Sequence, residues 1–88
     1  MNNKVTVIDV RSSMEFASGK VEGSINIPLD QIVQRMEEIK AIKGSIVLCC
    51  AAGIRSFSAW QFLQENGMTN VRNGGAWYDV AEALDKNK

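Results

Sequence analysis

The chain contains no histidine. That excludes a Cys-His dyad, a Ser-His-Asp triad and any histidine-ligated metal site. Cysteine is nearly as scarce, with only Cys49 and Cys50, adjacent in sequence. Adjacent cysteines cannot staple distant parts of a fold, and zinc needs more ligands than these two supply. No metal or organic cofactor is expected. Charge of one sign is also missing: ten basic residues balance ten acidic ones, with no basic block. Nucleic acid is therefore not an expected partner. No apolar run approaches the roughly 20 residues of a membrane span. The stretch from Val5 to Val10 is short and contains Asp9, unlike the core of a secretory leader. Free thiols fit a reducing, cytoplasmic setting, and a periplasmic one would need a leader already removed. With 88 residues and no repeat or linker, one domain over 1–88 with a modest core is expected, as a monomer or weak dimer.

Strand and helix signals alternate along the chain. Lys4 to Val10 is rich in β-branched residues and predicts a strand ending at Asp9-Val10-Arg11. Ser12 and Glu15 have capping-box spacing for a short helix over 13–18, with Gly19 at its end. Ser24 to Ile27 predicts a brief strand closed by Pro28, the chain's one proline. Leu29, Ile32, Val33, Met36 and Ile39 recur at helical spacing, with Asp30 as N-cap. Ile46 to Cys49 predicts a buried strand. Arg55 to Asn66 predicts a helix with Ala59, Trp60 and Leu63 inward, stopped by Gly67. Thr69 to Arg72 predicts a strand, Asn73-Gly74-Gly75 a turn, and Trp77 to Leu84 a last helix. Trp60 is expected in the core, and Trp77 fits core and pocket wall equally. Such alternation predicts an α/β domain with a mainly parallel sheet. Sites in such sheets lie beyond the carboxyl ends of the strands. Asp9-Val10-Arg11, Cys50 to Arg55 and Asn73-Gly74-Gly75 all follow strand ends.

Chemistry concentrates at Cys50-Ala51-Ala52-Gly53-Ile54-Arg55-Ser56, where a strand ends and a helix begins. Loop amides and a helix N-terminus together favour an anion, and Arg55 adds a fixed positive charge. These effects favour thiolate at Cys50. Lowering a thiol pKa from about 8.5 to about 6.5 raises the thiolate fraction roughly 25-fold at pH 7. Nucleophilicity falls about 8-fold over the same range, so the net gain is only about 3-fold. The loop is better explained as a cradle that holds an anionic substrate beside the sulfur. Cys49 continues the strand and should face the other way, into the core. Asp9 and Arg11 are expected to orient the loops by ion pairing. An arginine in a first helical turn opposes the helix dipole, so some anion should accompany Arg55.

Three motifs then carry a resemblance. Ile8-Asp9-Val10-Arg11, Glu15-Phe16 and Gly23-Ser24-Ile25-Asn26-Ile27-Pro28 resemble the opening signature of rhodanese-like domains. Cys50 to Ser56 resembles the family's active-site loop, and Gly67 to Val71 with Gly74-Gly75 its closing segment. The resemblance spans about Val5 to Leu84. It implies a rhodanese-like three-layer α/β sandwich with helices on both faces of the sheet. It also implies sulfurtransferase chemistry of the thiosulfate type. Cys50 would take a sulfane sulfur from a small anionic donor, become a persulfide, and pass the sulfur to cyanide, a thiol or a thioredoxin-like acceptor. Ala51, Ala52, Gly53, Ile54 and Arg55 would bind the substrate.

Three other functions remain open at this point. A dual-specificity phosphatase of the cell-cycle type has a cysteine, five residues, then arginine, which is the spacing from Cys49 to Arg55. Counted from Cys50, four residues intervene, the sulfur-transfer size. Arsenate reduction would need the same larger loop. A non-catalytic rhodanese-like interaction module is the third class, disfavoured by the presence of Cys50.

Overall fold

The structure is a computed structural model that describes residues 4–86. The expected 1–88 span runs past these at both ends. Strand β1 covers Val5–Asp9, helix α1 Ser13–Ser18, β2 Ile25–Asn26, α2 Met36–Lys40 and β3 Ser45–Cys50. Helix α3 covers Ile54–Glu65, β4 Val71–Ala76 and α4 Trp77–Lys86, with a 3-10 turn over Leu29–Gln31 before α2. The strands form one sheet in the order β2-β1-β3-β4, and every neighbouring pair is parallel. Parallel neighbours need crossover connections, which lay helices on the sheet faces. All carboxyl ends therefore gather at one edge, where Asp9, Cys50 and Ala76 close β1, β3 and β4.

Side chains alternate across the sheet, and the two faces bury unequal cores. Ile46, Leu48 and Cys50 of β3 join Ile8, Ala59 and Leu63 in the larger core, against α3. Trp60 packs at its edge and donates its indole N–H to the Val71 carbonyl at 3.0 Å. Cys49 points the other way, into a smaller cluster with Val7, Val21 and Val80, flanked by Trp77. Helices thus cover both faces, as expected of the rhodanese-like sandwich. Trp77 is half-buried against the Cys49 cluster, its ring 4.8 Å from the Arg11 guanidinium.

Four expectations need correction. The helix expected from Leu29 to Ile39 is a 3-10 turn and a separate short helix. Met36 N–H bonds the Val33 carbonyl at 3.4 Å, an i−3 contact, and Arg35 leaves helical geometry at φ −105° and ψ 19°. Asp30 caps nothing, because Pro28 occupies the N-cap and no side-chain bond forms there. The apolar spacing was real, but it serves two helical turns that bury Ile32 and Ile39 separately. The brief strand β2 is confined to Ile25–Asn26. Gly19 ends α1 in an extended conformation, φ 163°, and its lack of a side chain admits the Trp77 ring, 3.1 Å from where a Cβ would stand.

The fourth correction is the expected turn at Asn73-Gly74-Gly75, which lies inside β4. Pairing runs Leu48 with Asn73 and then Cys49 with Gly75, so Gly74 is the extra residue of a β-bulge. A Cβ on Gly74 would sit 2.6 Å from Val47 and 2.7 Å from Val80. Only glycine lets α4 approach the sheet here. Gly74→Ala should therefore destabilise the fold by about 1–3 kcal/mol through overpacking. Urea unfolding measures this, and an unchanged midpoint would contradict it.

Candidate active site

The apolar segment Ile46-Val47-Leu48 drives β3 into the sheet, and the chain leaves it at Cys50. It reverses into α3 through Gly53, which caps the helix with φ 93°, a left-handed conformation suited to glycine. This path brings helix-start amides onto one atom. Gly53 N–H donates to Cys50 Sγ at 3.1 Å and Ser56 N–H donates at 3.3 Å. In the neutral state the thiol donates to Ser56 Oγ at 3.4 Å. Cys50 is almost wholly buried, at 1% exposure. Burial alone would push its thiol up. The Ser56 hydroxyl and the N–H groups of Ser56, Ala52 and Gly53 outweigh it, and the thiol lies below its ordinary value.

Cys49 has the opposite environment. Burial first, then the charge of Asp9, push its thiol up to about 12. Its sulfur lies across the sheet from the loop, so it cannot serve as the nucleophile of a cysteine, five residues, arginine loop. The phosphatase register counted from Cys49 is thereby overturned, and arsenate reduction through that larger loop falls with it.

The expected substrate-binding residues divide. Ala52 and Gly53 turn their amides to the sulfur. Ile54 and Arg55 occupy the first turn of α3, where backbone N–H groups have no acceptor within the helix. Ala51 lies in the loop, half-buried, between the strand end and that turn. The Arg55 guanidinium is engaged elsewhere, contrary to a free anion contact. It forms a bidentate pair with Glu15, at 2.8 and 3.0 Å, 40 residues away. Glu15 is the anion that offsets the helix dipole. Arg55 borders an open cavity of about 380 Å³, also lined by Val10, Ser12, Pro28, Leu29 and Asp30.

Asp9 and Arg11 form a buried pair at 2.7 Å. Arg11 also donates to the carbonyls of Glu15 and Gly19, at 3.2 and 2.6 Å. The pair thereby moors α1, whose Glu15 reaches Arg55. Asp9 and Arg11 make no contact with Cys50 Sγ among the hydrogen bonds of the described residues.

Three participants escaped the sequence reading. For Glu15 the sequence shows a capping box with Ser12, which does form, and a place in the opening motif, but not its pairing with Arg55. Ser56 belongs to the loop motif and opens the helix, but the sequence assigns its side chain no role. The signal was its place in the first turn after the cysteine loop, where both N–H and hydroxyl can face a strand end. Asn73 stands beside two glycines, a composition that signals a turn. It accepts from Ser56 Oγ at 2.6 Å and from Gly75 N–H at 3.0 Å, and donates to the Gly53 carbonyl at 3.3 Å.

Glu15 generates a pH prediction. Its pairing with Arg55, then its bond from Ser12 N–H, hold its carboxyl at about 2, against an ordinary 4.5. A depressed carboxylate contributes stability above its ordinary value and loses it as pH falls through the depressed one. Glu15→Gln should lower Tm at pH 7, and the gap to the unsubstituted protein should close between pH about 4.5 and about 2. Thermal melts across that range check it; a gap independent of pH would contradict it.

Comparison with known proteins places this geometry in a family. The model of the rhodanese-like domain matches residues 1–78. An uncharacterized protein of Bacillus subtilis, YqhL, is 43% identical over 70 residues, 80% of this chain. The thiosulfate sulfurtransferase PspE of Escherichia coli is 37% identical over 75 residues, 84% of this chain. The match spans 55% of the length of YqhL and 72% of that of PspE. Among solved structures, a rhodanese with anions from E. coli superposes with a TM-score of 0.80 at 33% identity. That match covers 89% of this chain and 93% of the other. With its Cys50 loop, its parallel sheet and these relatives in agreement, the chain belongs to the rhodanese-like domain family.

Proposed function

We propose that the chain is a sulfurtransferase of the thiosulfate type, which carries a sulfane sulfur on Cys50. The observation that carries this is the convergence of Gly53 N–H and Ser56 N–H on Cys50 Sγ, at 3.1 and 3.3 Å. Such donors stabilise an anion on the sulfur and on whatever sulfur it acquires. The sulfurtransferase relatives support the same chemistry.

In the first step, the Cys50 thiolate attacks the outer sulfur of thiosulfate. A bond forms between the two sulfurs, the sulfur–sulfur bond of the donor breaks, and sulfite leaves with the electron pair. Negative charge on the persulfide's terminal sulfur then meets the amides of the loop and the first turn of α3. In the second step, cyanide or an acceptor thiolate attacks that terminal sulfur. Its bond to Cys50 breaks, the cysteine thiolate is regenerated, and the acceptor leaves as thiocyanate or persulfide. The two steps exchange sulfur without any external oxidant. A small anionic donor suits a loop built from Ala51, Ala52 and Gly53, which place no large side chain beside the sulfur. The cavity next to Arg55 gives room for the departing group or for an approaching thiol. A thioredoxin-like protein is one acceptor of this kind.

The thiosulfate–cyanide assay tests the proposal. Cys50→Ala should keep the circular dichroism of the unsubstituted protein and lose thiocyanate formation by at least about 10³-fold, as expected for removal of a covalent carrier. Cys49→Ala should retain most of the rate. Undiminished turnover in Cys50→Ala would overturn the proposal.

A further inference from the structure

Asn73 lies at the bulge of β4, where its carboxamide contacts three groups. Its orientation is fixed by backbone. Gly75 N–H donates to Oδ1 at 3.0 Å, and Nδ2 donates to the Gly53 carbonyl at 3.3 Å. A flipped amide would set donor against donor and acceptor against acceptor. Oδ1 must therefore accept the proton of the Ser56 hydroxyl, at 2.6 Å. A hydroxyl has one proton to give. While Asn73 holds it, Ser56 Oγ can only accept from Cys50, and it does so from the thiol at 3.4 Å. That arrangement suits a neutral thiol. A thiolate accepts hydrogen bonds and offers none, so the Ser56 proton must turn from Asn73 to Sγ when Cys50 ionises.

We propose that Asn73 is a positioning residue that governs the Ser56 hydroxyl, holding its proton from Cys50 Sγ in the neutral state and taking it back when the sulfur no longer bears the charge. In the persulfide the negative charge sits on the terminal sulfur, and Sγ is a neutral disulfide-type atom. The hydroxyl proton then returns to Asn73. The β4 bulge thus couples the charge state of the sulfur to the orientation of a group on α3. Through Nδ2, the same carboxamide ties Gly53 in place. Ser56 and Asn73 lie 17 residues apart and are brought together by the pairing of β3 with β4 and by α3 packing on β4, where Trp60 donates to the Val71 carbonyl.

The inference rests on Cys50 being the reacting thiol, and its test reads the thiol directly. The pH profile of Cys50 alkylation by iodoacetamide, with the site assigned by fragmentation, is measured in four proteins. These are the unsubstituted chain, Ser56→Ala, Asn73→Ala and the double variant. Charged and titratable groups on the elements around Cys50 are Asp9, Arg11, Glu15, Asp30, Cys49, Arg55, Glu65 and Arg72. All are common to the four proteins and cancel in the cycle. Removing Asn73 also frees Gly53, in either background. The coupling isolates the hydroxyl.

Asn73→Ala should shift the Cys50 profile further toward low pH when Ser56 is present than when it is absent, by about 0.7 pH unit, one hydrogen bond's worth. Coupling of zero or of opposite sign would overturn the proposal. Should Asn73→Ala fail to fold, Asn73→Asp replaces it, giving up the Nδ2 bond to the Gly53 carbonyl in both backgrounds. Its carboxylate holds the hydroxyl harder, so its upward shift should be larger with Ser56 than without. Equal shifts would overturn the proposal equally. Sulfur transfer is not read in this experiment, so failure here and failure of the sulfurtransferase assignment are separate results.

Discussion

Backbone amides aimed at one sulfur are the constraint on which the rest of this molecule depends. Cys50 Sγ is almost fully buried, and the proposed chemistry places negative charge on it. A buried anion is costly unless donors surround it. The chain meets that need by turning Gly53 N–H and Ser56 N–H toward it. For those amides to converge, β3 must end at Cys50 and α3 must begin within a few residues. Gly53 in its left-handed conformation makes that reversal. The parallel sheet supplies the direction, since only its carboxyl edge faces a helix N-terminus.

Charged residues build the frame around this device. Asp9 holds Arg11, Arg11 holds the Glu15 carbonyl within α1 and the Gly19 carbonyl at its C-terminal end, and Glu15 on α1 holds Arg55 on α3. The Asp9–Arg11 pair is buried and tightly bonded, so removing either member would strand a charge. The Glu15–Arg55 pair is partly exposed and screened, and its value lies in register more than in energy. Both pairs are internal. Under the proposed chemistry a dianionic donor meets oriented amides first, and Arg55 acts by keeping α1 beside the loop.

Legibility in the sequence followed the range of the interaction. The Ser12–Glu15 capping box, the apolar run into Cys50 and the alternation of strands with helices are local patterns, and each is found where expected. The opposite facing of Cys49 and Cys50 follows from the two-residue period of a strand. Arg55 announced that an anion was needed, but Glu15 lies 40 residues away and meets it only once α1 is moored by Arg11. Asn73 shared its segment with two glycines, a composition that signals a turn. The bulge that aims its carboxamide at Gly53 and Ser56 exists only when β4 pairs with β3. Leu29 to Ile39 had a helical period because two short turns bury the same face, and periodicity alone cannot reveal the break at Arg35.

The most direct measurement of the central claim is the intact mass of the purified protein before and after thiosulfate, and again after cyanide, with fragmentation across Leu48 to Ser56. A gain of one sulfur atom located on Cys50, lost on addition of cyanide, is the predicted result. No added sulfur, or sulfur located on Cys49, would contradict the account.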